Sequence, residues 1–450
     1  MVEPKLLRTL KRTSDEFFTK KSFFIPASLK DIPSENFFSH QFRLPGNRWV
    51  FMTESGYEKF RRIVELIDRA AVFDGLADFS DIWEAWLSIA TKYLSDGVQP
   101  DDGEELLRNI TSSVNGKIEE HTFAVPLYGV KLDSDGPFQL GSATIFKMAP
   151  EALGELGIEH AHIDVAKLLK KSPTDVFLKS TIRSTRRVAE RKFAQLAATT
   201  TGVLAIAAAS MYQHGSSRFR IGVAMASDAA VDTSIWFSWT ESGRSLSTHY
   251  RYPSGQPFPL NASLGTTSDL TRMVYRAQSL AEGVEQTEVA IAVSKAIFWY
   301  SDAQRDAVPV MKFVKFWSCV EVFFSFDGDK ITESVSSGLA SLLVFGGFQF
   351  QSVSQYFELR AEIKRLYGLR SRAVHGASHD HISDGTIARF SQLVAWMLLT
   401  VVSLSERGYT TLAQVRTQVD RLDGIATRGS SKIRCSLIRR PSSSDSYGDR

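Results

Sequence analysis

Cysteine is scarce in this chain. Two cysteines in 450 residues, Cys319 in an apolar stretch and Cys435 in a polar one, exclude a disulfide framework and a cysteine-rich zinc site. They fit a reducing, cytoplasmic setting. An apolar core is also missing from the first 21 residues, which are basic with interspersed acids, so a cleaved secretion signal is not expected. Long apolar runs are few. The most membrane-like one, residues 194–211, is rich in Ala and Thr and follows the basic segment 183–192. It lacks the ~20 strongly apolar residues that a span needs and reads as a buried helix, so no membrane partner is expected. Charge of one sign is scarce as well. The net charge is +3, and the last 26 residues alone hold six Lys/Arg against two Asp/Glu, which leaves the remainder near neutral. Strong general electrostatic attraction to nucleic acid is therefore not expected, and any RNA contact would come from a local patch. Walker loops, GxGxxG turns, nucleophile elbows and HExxH helices are all missing, so the chemistries they serve find no foothold and no cofactor is expected.

What is present suffices for more than one core, with 43% hydrophobic and 23% charged residues. Residues 1–50 read as irregular or strand-like, with aromatic pairs set among Pro26, Pro33 and Pro45. Amphipathic helices follow over 57–72 and 81–94, and their aromatic stripes (Phe60, Trp83, Trp86, Tyr93) read as core. Residues 121–148 switch to period two, and the turn sequence at 133–136 predicts a hairpin there. A helix is expected over 165–170, another from 184 through the Ala-rich stretch, and strands over 234–239 and 246–252. After residue 268 the strand signals stop. Helical periodicity runs over 269–281, 286–302, 310–326, 331–344, 353–374, 382–406 and 411–422, with Gly328, Gly346, Gly347 and Gly376 between segments. The expected class is α+β: an N-terminal mixed α/β region (1–270), a C-terminal all-α bundle (271–424) and a disordered basic Ser/Arg-rich tail (425–450).

One stretch, residues 367–376, places Arg370, Ser371 and His375 within six residues. On a helix, an Arg five residues before a His lies about 140° away and about 7.5 Å along the axis, so only the long guanidinium arm lets both address one small group. That group would be an anion. Ser371, four residues before His375, is placed to hold the imidazole or a phosphate oxygen. Arg360, Lys364, Arg365 and Arg372 extend the positive charge along the helix, suited either to an RNA backbone or to a solvated basic face. A reading without chemistry stands beside this one, in which Arg370 pairs with Glu321 or Glu362 and His375 is a helix-end histidine. His379, Asp380, His381 and Asp384 extend the cluster toward metal-ligand chemistry; three histidines so close after a helix read as a polar turn, and no metal is expected.

The pattern Leu366-Tyr-Gly-Leu-Arg-Ser-Arg-Ala-Val-His-Gly376, preceded by Lys315-Phe-Trp-Ser-Cys-Val-Glu-Val-Phe-Phe324 and followed by a long apolar helix, resembles the Apea-like branch of the HEPN superfamily. Arg370 and His375 match its Arg-x4-His motif, with Trp317 and Glu321 on the preceding helix and Tyr367 beside the motif. Ser371 stands where that superfamily often has Asn, Asp or His. The resemblance covers residues 285–423 well and the N-terminal half weakly. It implies a helical RNase fold acting as a homodimer, in which two motif copies form one composite site and cleave RNA without a metal. Arg370, His375 and Ser371 are then the expected catalytic residues, Arg372, Lys364 and Arg365 the expected substrate contacts, and Glu321 and Tyr367 the structural support. RNA brings its own nucleophile, the 2′-OH, so the protein need supply only proton transfer and a cation for the phosphate. The N-terminal region is expected to bind a regulatory ligand or protein, in a setting of stress response or antiviral defence with toxin-like activity. A different expectation is a dimerising, RNA-binding scaffold with no catalysis.

Overall fold

Capping side chains mark the start of many helices. Thr53, Asp102, Ser268, Thr287 and Ser383 each accept a hydrogen bond from an amide three residues on, at 2.7–3.2 Å, which satisfies one of the first-turn donors that the helix itself cannot. Asp78 and Asp81 form a reciprocal capping box. The computed structural model describes residues 3–25, 40–134, 136–148, 174–223, 234–239, 246–251, 256–266, 268–324, 331–375 and 382–437. They form two units, residues 1–123 with 181–194 and residues 124–180 with 195–450.

The first unit holds α1 (Pro4–Phe17), β1 (Phe23–Phe24), β2 (Gln41–Leu44), β3 (Arg48–Met52), α2 (Glu54–Arg69), α3 (Phe79–Asp96) and α4 (Gly103–Asn115). The strands form an antiparallel sheet in the order β1-β3-β2. Residues 4–17 are helical, not irregular or strand-like as expected: Pro4 sits in the first turn, where its missing N–H costs nothing, and Leu10, Thr13, Ser14 and Phe17 make the buried stripe. The aromatic stripes form core. Phe17, Phe60 and Trp86 meet at centroid distances of 5.7, 5.7 and 5.4 Å, each such pair adding about 0.5–1.5 kcal/mol beyond the area it buries.

The second unit begins with strands. β4 (Glu119–Tyr128) and β8 (Val176–Ser184), whose residues the division at 123/124 and 180/181 shares between the units, belong to a sheet ordered β6-β7-β8-β4-β9, with β6 at Phe138–Leu140, β7 at Ala143–Lys147 and β9 at Gly222–Val223. The expected hairpin is here but one turn later. β6 and β7 pair across Gly141-Ser142, whereas the chain before residue 133 forms β5 (Val130–Lys131), which pairs in parallel with β12 (Phe258–Pro259). The strands expected over 234–239 and 246–252 are present as β10 (Ser234–Trp239) and β11 (Leu246–Arg251), which pair antiparallel. The helix expected over 165–170 lies outside the described residues.

Helices make up the rest: α5 (Arg186–Met211), α6 (Asp269–Ala281), α7 (Glu288–Arg305), α8 (Pro309–Phe324), α9 (Ile331–Phe345), α10 (Tyr356–His375), α11 (Asp384–Glu406) and α12 (Leu412–Leu437). Two of them, α5 and α11, are long and apolar enough to cross a membrane by length and composition, but 83% and 78% of their apolar windows is buried. In α5, Gly202 lets the backbone approach α7, since a Cβ there would meet the carbonyl oxygen of Ile297 at 2.9 Å. α11 is buried on nearly every side and packs against α6, α7, α8 and α9, which makes it the axis of the bundle. The helices expected after residue 268 are all present. No boundary between the units falls near residue 270, because residues 124–180 and 195–268 belong to the unit that holds the bundle. The tail also differs: α12 continues through Leu437, past the expected end near residue 422.

The β6–β7 turn supplies a test. Gly141 has φ +59°, and the amide of Ser142 donates to both carboxylate oxygens of Glu282 on the turn after α6, at 2.9 and 3.1 Å. A Cβ on Gly141 would lie 2.1 Å from Glu282 Oε1. Gly141→Ala is expected to cost about 1–3 kcal/mol in urea unfolding. Gly116→Ala, at right-handed backbone with ordinary contact room, should shift stability by no more than about 1 kcal/mol, and toward greater stability.

Candidate functional site

α10 buries Tyr356, Leu359, Ile363, Leu366, Leu369 and Ala373. Arg370 falls four residues after Leu366 and three before Ala373, so a cation occupies a position in the helix's inward stripe. Such a position requires an anion. α8 provides it. Glu321 follows Trp317 by one turn on the same face, and Arg370 Nη2 lies 3.1 Å from Glu321 Oε1 and 3.2 Å from Oε2. The two side chains are 22% and 21% exposed, half-buried enough that the pair is shielded from full solvation.

Aromatic rings bracket this pair. The guanidinium sits 5.7 Å from the Tyr367 ring centroid, Tyr367 meets Trp317 edge-on at 5.0 Å, and Trp317 lies 4.2 Å from Phe390 of α11. The Tyr367 side chain favours the ionised form of Glu321. Burial raises the Glu321 carboxyl above its ordinary 4.5, and the Arg370 and Tyr367 contacts only partly offset this. Burial likewise pushes the Tyr367 hydroxyl up, with the Glu321 charge acting in the same direction. Arg370 Nε and Trp317 Nε1 are buried with no hydrogen-bond partner among the described residues.

Further up α10, Arg360 contacts Glu333 of α9 at 3.1 Å and Asp423 of α12 at 3.3 Å, and Lys364 pairs with Glu333. Tyr356 donates to Asp423, and burial first, then that carboxylate, pushes its hydroxyl up to about 12. Glu362, the other partner considered for Arg370, is instead held by Arg389 of α11 in a two-nitrogen fork at 3.2 and 3.2 Å.

The outward side of α10 is different. Phe357, Ala361, Arg365, Gly368, Arg372 and His375 recur at spacings of three and four residues. Arg365, Arg372 and His375 are exposed and make no ion pair with a described residue. The candidate residues thus divide in two. Arg370, Lys364, Glu321 and Tyr367 lie in contacts between helices, while Arg365, Arg372 and His375 point to solvent. Within one chain Arg370 and His375 do not converge, because one faces α8 and the other the outside. Ser371 is partly buried and makes no side-chain hydrogen bond with a described residue, His375 included. His379, Asp380 and His381 lie outside the described residues, and among the described residues no three His, Cys, Asp or Glu side chains cluster as metal ligands.

Comparison of the chain with models of known families, with curated proteins and with solved structures finds no match. The site therefore stands on its geometry. Sequence reasoning missed Glu333, Asp423 and Arg389, which decide which cations of α10 are neutralised. Their signal was faint, since each is an ordinary charged residue distant in the chain from its partner. Chemically, the outward side offers two guanidinium groups and an imidazole to an anion. The Arg370–Glu321 pair offers no net charge.

The carboxyl of Glu321 has a sign that can be measured. With its folded-state pKa above 4.5, it contributes stability that is fully present below that pH and is lost as pH rises through the elevated value. The urea midpoint of the wild-type chain, relative to Glu321→Gln, should therefore fall as the pH is raised from 4.5 into the neutral range. Arg370→Ala leaves the carboxylate half-buried without its cation and should cost about 1–3 kcal/mol. Adding Glu321→Gln to that variant should restore part of the loss.

Proposed function

We propose that this chain is a metal-independent endoribonuclease of HEPN type that acts as a homodimer. The observation that carries this reading is the outward side of α10, where Arg365, Arg372 and His375 stand exposed and without ionic partners among the described residues. Arginine binds two phosphate oxygens at once, and histidine ordinarily titrates near neutrality, so it can take or give a proton at working pH. One chain offers a single imidazole here. A two-fold axis along this side brings a second copy of the same patch, and with it the acid that complements the base.

In the reaction, one His375 takes the proton of the RNA 2′-OH as that oxygen bonds to phosphorus. The P–O5′ bond breaks, and the second His375 protonates the departing 5′ oxygen. The products are a 2′,3′-cyclic phosphate and a 5′-OH. Arg365 and Arg372 hold the flanking backbone, and Arg370, which Glu321 holds toward α8 in the free chain, serves as a cation for phosphate only once that carboxylate is released. DNA, lacking the 2′-OH, is bound but not cut. The first unit governs access or senses a trigger, and stress response or defence against viruses in the cytoplasm is the setting in which a restrained RNase is useful.

A second reading is a non-catalytic dimer that binds RNA as a scaffold. The engagement of Arg370 by Glu321 favours it, because the motif arginine is then a structural cation. Incubation of labelled RNA with the full chain in EDTA separates the two. Cleavage is expected to survive the chelator and to fall by about 10²–10⁴ in His375→Ala, with the dimer retained in size-exclusion chromatography. An RNA-binding dimer that cuts no substrate supports the scaffold instead. Arg365→Ala and Arg372→Ala should each weaken RNA binding and lower the slope of log K against log[salt] by about 0.7.

A further inference from the structure

Among the arginine–glutamate pairs that tie α10 to its neighbours, two are built differently. Arg389 grips Glu362 with two nitrogens, Nε to Oε1 and Nη2 to Oε2, the fork geometry that gives the strongest and most directional pairing. Arg370 holds Glu321 through Nη2 alone, with both oxygens on one nitrogen, and its Nε is buried without a partner. The guanidinium therefore keeps an unused donor beside the carboxylate. Glu321 for its part is a half-buried acid whose ionised form is disfavoured by its surroundings, so it is a weaker ligand for that cation than a fully ionised phosphodiester monoanion would be.

We infer that Glu321 is an intramolecular stand-in for phosphate, an inhibitory carboxylate that must leave Arg370 before the guanidinium can grip an RNA phosphate with two nitrogens. The inference rests on the RNase reading above and adds its regulation. Tyr367 sets how firmly the carboxylate is held. Its hydroxyl end favours the ionised carboxylate of Glu321 while its ring lies against the guanidinium at 5.7 Å, so it stabilises the closed arrangement through one end and positions the arginine through the other. A phosphate that displaces Glu321 would find Arg370 already oriented by that ring. The carboxylate is released with the Tyr367 hydroxyl or takes up a proton, and no covalent step is involved.

Positioning makes the opposite prediction. If Glu321 serves only to aim Arg370, removing its charge weakens RNA binding and slows cleavage. If it competes with phosphate, removing its charge strengthens both. The test uses the full chain with a 2′-O-methyl RNA oligonucleotide, which cannot be cleaved, for affinity and the matching RNA for rate. Glu321→Gln keeps the size and the acceptor of the side chain. It is expected to bind the 2′-O-methyl RNA about tenfold more tightly than wild type, the effect of freeing one charge-assisted contact, with the gain abolished by adding Arg370→Ala. Tyr367→Phe removes only the hydroxyl and should shift affinity in the same direction by a smaller factor. Equal or weaker binding by both variants, with their far-UV spectra unchanged, overturns the gate. If the variants bind more tightly yet none cleaves RNA, the gate stands and the RNase reading falls; if wild type cleaves and Glu321→Gln is slower, the RNase reading stands and the gate falls.

Discussion

A half-buried carboxylate cannot be left without a cation, and among the described residues Arg370 of α10 is the cation that meets Glu321 on α8. Pairs of this kind contribute little net stability, since desolvation of both ions offsets most of their attraction. What they do well is fix geometry. With Arg370 facing α8, and Arg360 and Lys364 facing Glu333 and Asp423, the rotation of α10 about its axis is set. One residue of slippage turns a helix by about 100°, enough to carry Arg372 and His375 off the outward side. The exposed cations owe their position to the buried ones.

The same side-chain types thus serve opposite purposes on a single helix. Glu321, Glu333, Glu362 and Asp423 account for the charged residues that bind α10 into the bundle. Arg365 and Arg372 escape because their side of the helix meets no acidic neighbour among the described residues. Net charge near neutrality is consistent with this sorting, as a local patch needs only its own few cations to attract a polyanion.

Much of the fold was legible along the chain. Helices after residue 268 announced themselves through apolar residues every three or four positions and through the glycines between segments; the caps Ser268, Thr287 and Ser383 then fix their starts. Two local readings went astray for physical reasons. In residues 4–17 the inward stripe includes Thr13 and Ser14, polar residues whose burial only packing reveals, so the periodicity was muted. At 133–136 the turn-forming residues were real, but strand pairing is a long-range choice, and β4 pairs with β9 while β6 pairs with β7. At the candidate site, the residue types and their helix could be read from the chain. Which of them stayed free could not.

Sequence by itself determined the helical periods, the clustering of Arg370, Ser371 and His375 and the lack of a Walker loop, a GxGxxG turn or an HExxH helix, because these depend on neighbours within a turn or two. The tertiary structure alone decided that Arg370 faces a carboxylate and His375 faces solvent. The partners concerned lie 49 residues apart for Arg370 and Glu321 and 63 for Arg360 and Asp423. An ion pair between helices depends on how their faces meet, and that follows from the packing of Trp317, Tyr367 and Phe390 rather than from any spacing within one helix.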